Sequence, residues 1–195
     1  MTTPSPDPHI EPMTRIQVLA AMGITAIVLL VVSKVWLLFD QVSLLPFSFT
    51  PLALLTGFAV GLGISGASAI AYHFWPSYRS SAEFYMSLVI QPLLFPDLLW
   101  LGLLPGLSEE LLFRGVMLPA FGLNWVGITL TSLLFGVLHF SGTQKWAYVI
   151  WASVIGAILG ISAVESGNLL IPIVAHIATN LISSVSWKMR EVGNG

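Results

Sequence analysis

Three formal charges stand within six residues of an otherwise apolar run, Ser108-Glu109-Glu110-Leu111-Leu112-Phe113-Arg114. A charge at the centre of a membrane helix costs about 2.5 to 3.5 kcal/mol, so three cost roughly 9 kcal/mol. The nine Leu, one Phe and one Val between Leu98 and Leu118 return about 0.3 to 0.6 kcal/mol apiece, or about 5 kcal/mol. These side chains must therefore face a bundle interior or a watered cavity, and must be paired. Helical spacing supplies one pair, because Glu110 and Arg114 are four apart with Glu on the favourable N-terminal side. Glu109 lies about 100° around the helix without such a local partner, and is the carboxylate free for chemistry. Two more ionisable groups sit in apolar runs, His139 at the end of Phe135-Gly136-Val137-Leu138-His139 and His176 in His176-Ile177-Ala178-Thr179-Asn180. His176 and Asn180 share one helix face. A carboxylate, two imidazoles and an amide from three segments form a hydrolytic set. Glu or His can take a proton from water, while His and Asn can donate hydrogen bonds to an oxyanion.

The elements that must carry these residues follow from composition. The chain is 56% hydrophobic and 8% charged, against about 25% charged for a soluble domain. An ordinary soluble fold is thereby excluded. A net charge of -2 leaves no basic excess for nucleic acid. The absence of cysteine excludes disulfides, thiolate metal sites and a cysteine nucleophile. At about 20 residues per crossing, six stretches qualify: 16–39, 51–72, 97–118, 125–140, 146–164 and 169–187. Residues 78–95 mix Arg79 and Glu83 with apolar side chains and read as an interfacial helix.

The expected fold is all-α, a polytopic membrane helix bundle of about six transmembrane helices plus that interfacial helix. One domain is expected over 14–190, between a proline-rich disordered tail at 1–13 and a C-terminal tail at 191–195, with no cleaved leader. Arg15, Arg79, Lys145, Lys188 and Arg190 then fall on one side, while Lys34, Asp40 and Glu165 fall on the other. Both termini are expected in the cytoplasm by the positive-inside bias, in the cell membrane or else a thylakoid or other internal membrane. Trp36, Trp75, Trp125, Trp146 and Trp187 mark span ends, as an aromatic belt would. Gly57 with Gly61, and Gly156 with Gly160, have the spacing of close helix packing. A sixteen-residue fourth stretch puts His139 near the cytoplasmic edge and Glu109 and His176 deeper. Either that helix runs past Phe140 or the cavity opens to the cytoplasm.

The motifs EELLFR at Glu109 to Arg114, FGVLH at Phe135 to His139 and HIATN at His176 to Asn180 resemble those of the CPBP intramembrane proteases. That family, also called type II CAAX prenyl endopeptidases or Abi proteins, carries EExxxR, FxxxH and HxxxN in the same order. The resemblance implies an intramembrane endopeptidase acting on a membrane-associated protein or peptide. It further implies that Glu109 and His139 activate water, that His176 and Asn180 form the oxyanion hole, and that Glu110 and Arg114 support the site. Members are often described as metalloproteases. This sequence lacks HExxH, and chemistry without a metal cofactor is preferred, with zinc on Glu109, His139 and His176 as the alternative. With fewer spans than the eukaryotic members, the chain is more like the bacterial and plastid branches. The runner-up reading is a catalytically idle membrane scaffold, or a bacteriocin-immunity-like regulator, using the same pocket.

Overall fold

Thr14 opens the first helix, α1 (Arg15–Phe39), with a capping box: its side chain accepts from the Gln17 backbone while Gln17 reaches back to the Thr14 N–H. Thr50 and Pro51 start α2 (Pro51–Phe74) in the same spirit, the threonine accepting from the Ala53 N–H and the proline supplying a helical φ. The computed structural model describes residues 13–40, 42–140 and 146–193. Expectations for 1–12, including His9, for Lys145 and for 194–195 lie outside the described residues.

After α2 comes α3 (Pro76–Val89), then a 3-10 turn (Phe95–Asp97). A continuous helical rod follows, made of α4 (Leu98–Glu110), a wider π-helical stretch (Leu111–Met117) and α5 (Leu118–Phe121). The chain turns through Gly122, whose φ of 109° suits a residue without a Cβ. Asn124 caps α6 (Trp125–Leu138) by accepting from the N–H groups of Val126 and Gly127. The last two helices are α7 (Trp146–Ser166) and α8 (Leu170–Gly193).

The protein is a helical membrane bundle. Among the described residues, four helices, α1, α2, α7 and α8, are long and apolar enough to cross a bilayer. Their outer faces carry exposed residues such as Ile27 and Leu55, which lipid rather than water would cover. The third expected crossing is the composite rod, which runs on to Phe121 rather than stopping at Leu118. The fourth, α6, has 14 residues and rises only about 21 Å, short of a hydrocarbon core about 30 Å thick. It ends at Leu138 instead of extending past Phe140.

Two boundaries differ from expectation for local reasons. The interfacial helix ends at Val89 rather than Phe95, since Pro92 disfavours helical geometry in the residue before it. Residues 191–193, expected as tail, continue α8. There Lys188 pairs with Glu191 at 2.9 Å and donates to the Gln91 carbonyl at 3.0 Å.

The basic residues gather at one end. Arg15 holds Asp97 through two bonds of 2.7 and 2.8 Å, Lys188 reaches Gln91, and Arg79 and Arg190 both stack near the Tyr72 ring. The core sits around α8, which packs on α2, α4 and α7, while α6 pairs with α7. Close approach of α2 to α8 depends on Gly61, where a Cβ would meet the Ala175 carbonyl oxygen at 2.8 Å. A Gly61→Ala substitution should therefore destabilise the protein by about 1 to 3 kcal/mol, read as a lower thermal midpoint in detergent. The Arg15 guanidinium holds the Asp97 carboxyl down from its usual 3.8 to about 2. A depressed carboxyl contributes stability above its unfolded value that is lost as pH falls through the folded one. Melting scans between pH 5 and 2 should show that loss in wild type and a smaller one in Asp97→Asn.

Candidate active site

Pro105 sits inside α4 and has no N–H to give the Leu101 carbonyl one turn back. The Asn180 amide of α8 points at that carbonyl, Nδ2 to oxygen 3.5 Å, at the long limit of a hydrogen bond. One turn further, Glu109 and Glu110 end the α-helical winding and the π stretch begins. Such wide turns insert an extra residue per turn and recur at functional sites. Here the stretch turns Arg114 wholly inward, and Glu110 with it is completely buried.

The ion pair expected from the spacing is present, with Arg114 Nη1 donating to Glu110 Oε1 at 2.8 Å. Arg114 Nη2 also donates to the Gly156 carbonyl of α7 at 2.8 Å. Gly156 leaves room for it, since a Cβ there would lie 3.3 Å from Nη2. The guanidinium carbon lies 4.6 Å from the Phe135 ring centroid. Phe135 in turn contacts the rings of His139 at 4.7 Å and His176 at 5.8 Å. The aromatic residue of the second motif thus serves as the common wall for residues of all three.

Glu110 has a second partner that the linear spacing did not reveal. His176 Nδ1 lies 2.7 Å from Glu110 Oε1. The carboxylate accepts, so Nδ1 carries a proton and Nε2 is left for other partners. His139 is oriented comparably, its Nδ1 donating to the Phe135 carbonyl at 2.8 Å, which leaves Nε2 as an acceptor. That nitrogen faces Glu109 Oε2 at 3.9 Å, and both side chains are mostly buried. Glu109 Oε2 has no hydrogen-bond partner among the described residues.

Glu109, His139, His176 and Asn180 line a single cavity of about 110 Å³. All four residues singled out for chemistry therefore converge, while Glu110 and Arg114 stand behind them. Leu101 and Pro105 from α4, Met86 from α3 and Ser183 from α8 complete much of the wall. The cavity wall includes Ile90 and Ser184, a few residues from Gln91 and Lys188, which bond to each other.

Tyr85 of α3 and Tyr148 of α7 also line the cavity, and sequence reasoning missed both. Single tyrosines in half-apolar stretches carry no spacing signal. Burial, with the Glu109 charge acting in the same direction, pushes the Tyr85 phenol up to about 12. That group is a hydrogen-bond donor, not a base, at ordinary pH. Among the described residues no three His, Cys, Asp or Glu side chains are grouped to hold a metal ion.

The family model for type II CAAX prenyl endopeptidase Rce1-like proteins matches residues 91–182, which contain all three motifs. The chain is similar to this family over that region. Among curated relatives, the uncharacterized protein YpbD of Bacillus subtilis (strain 168) is 34% identical over 97 residues, covering 50% of this chain and 49% of that protein. An uncharacterized 24.3 kDa protein of Escherichia coli is 36% identical over 110 residues, covering 51% of this chain and 50% of its own length. The uncharacterized protein YyaK of Bacillus subtilis (strain 168) is 35% identical over 82 residues, 38% of this chain and 27% of that protein. The chain spans about half the length of the first two relatives. No solved structure matches it significantly.

Removing one partner of a buried ion pair leaves the other charge uncompensated, at about 3 to 5 kcal/mol. Arg114→Ala should lose that much stability in a denaturation measurement. A Glu110→Leu/Arg114→Met double variant, which removes both charges, should recover part of it.

Proposed function

We propose that the protein is an intramembrane endopeptidase that hydrolyses a peptide bond of a membrane-associated protein or peptide. The observation that carries this reading is the facing pair Glu109 Oε2 and His139 Nε2, 3.9 Å apart in the cavity shared with His176 and Asn180. That separation is too long for a direct hydrogen bond but suits one water bridging the two at about 2.8 Å each. Both atoms accept, so the water donates a proton toward each and turns its lone pairs to the cavity.

In the reaction, the water oxygen bonds to the scissile carbonyl carbon as Glu109 takes its proton. His176 Nε2 and the Asn180 amide donate to the oxygen as it becomes negative. In that role both nitrogens of His176 carry protons, and the Glu110 carboxylate at Nδ1 is the counter-ion. The carbon–nitrogen bond then breaks and Glu109 returns its proton to the departing amine. Glu110 and Arg114 do no proton transfer, but hold His176 and the π turn in register. The same reading puts both termini in the cytoplasm, with the cavity opening on that side.

Glu109→Ala in proteoliposomes containing quenched fluorogenic peptides of apolar sequence should lose cleavage by about 10²- to 10⁴-fold at an unchanged melting temperature. Equal cleavage by the variant and wild type would remove Glu109 from the mechanism.

A further inference from the structure

Tyr148 is the middle ring of a three-tyrosine stack. Its ring lies 4.8 Å and 20° from that of Tyr85, and 6.4 Å and 11° from that of Tyr78. The edge of the His139 ring is close as well, at 6.2 Å between centroids. Tyr148 lines the cavity together with Glu109, His139, His176 and Asn180, and the ring contacts hold it there. Hydroxyls of packed tyrosines normally find a hydrogen-bond partner, yet Tyr148 donates to no group among the described residues, whereas the indole of neighbouring Trp151 is satisfied by Ser68.

The cavity itself limits what that partner is. A volume of about 110 Å³ leaves a bound peptide carbonyl near every polar group in the wall. Of the two hydrogens of the Asn180 amide, one points at the carbonyl that Pro105 leaves unpaired, so the amide has one left for the oxyanion. A rigid neutral donor from another helix adds to it, and a stack that fixes its direction before substrate arrives is the preorganisation that makes such donors effective.

We propose that Tyr148 is a further catalytic residue, a phenol that donates a hydrogen bond to the oxyanion of the tetrahedral intermediate alongside His176 and Asn180. It transfers no proton, and the bonds made and broken are those of the hydrolysis described above. The inference rests on the endopeptidase reading of the site. Tyr78 shares the stack but is not part of the cavity wall; it lines a separate groove with Ser65 and Ser68.

The experiment uses the full chain in liposomes with the same fluorogenic peptides, comparing wild type, Tyr148→Phe, Tyr78→Phe and Glu109→Ala. Phenylalanine keeps the ring stack and removes only the hydroxyl. Tyr148→Phe should lower kcat about 10- to 100-fold, at the weaker end of what one oxyanion donor supplies, with KM changed less than about twofold, the pattern of an interaction made only in the transition state. Its melting temperature and the kcat of Tyr78→Phe should match wild type. Unchanged kcat in Tyr148→Phe overturns the proposal. So does a loss that Tyr78→Phe reproduces, or one that tracks a fall in melting temperature, because the stack rather than the hydroxyl would then be responsible. If wild type and Glu109→Ala cleave equally or not at all, the endopeptidase reading fails and this inference fails with it.

Discussion

The fold is organised around one carboxylate that has no access to water. Glu110 accepts from Arg114 on its own helical rod and from His176 on α8, both at the same oxygen. Arg114 extends the tie to the Gly156 carbonyl of α7. A buried ion must be paired and hydrogen-bonded or it is prohibitively costly. Apolar side chains facing other apolar side chains in lipid have no comparable demand, because lipid is as good a neighbour as another helix. The charged knot therefore specifies which faces of three helices meet, and the leucines and isoleucines around it adapt to that arrangement.

Backbone irregularities turn this knot into a site. Pro105 interrupts the hydrogen-bond ladder of α4 and leaves a carbonyl for Asn180. The π winding after Glu110 buries every residue from Leu112 to Met117, Arg114 among them. The shortness of α6 brings His139 to the depth of Glu109. Each departure would be a defect in a plain membrane helix. Together they place polar atoms around one cavity inside an apolar bundle.

Adjacent glutamates thereby acquire different surroundings. Glu110 accepts from Arg114 and His176 through one oxygen, whereas Glu109, one residue earlier, lines the cavity and faces His139. Phe135 separates them in effect, since its ring covers Arg114 and also backs both histidines. The Rce1-like relationship over residues 91–182 covers this whole arrangement, while α1 and α2 lie outside the matched region.

Much of this was legible in the linear sequence wherever one helix decided the matter. The cost of three charges in an apolar run marked Glu109, Glu110 and Arg114. A four-residue interval paired Glu110 with Arg114 and put His176 and Asn180 on one face, because the helical repeat relates residues within an element. Apolar length separated the crossing stretches, and basic residues sorted to one end. What only the tertiary structure decided were relations between elements: the bond from His176 to Glu110, 66 residues away, the facing of His139 and Glu109, and the presence of Tyr85 and Tyr148 in the wall. The physical reason is that helices apolar all round carry little record of which face turns inward. Their rotation and depth are set by where glycines admit a neighbour, where a helix stops short, and where a buried charge finds its partner.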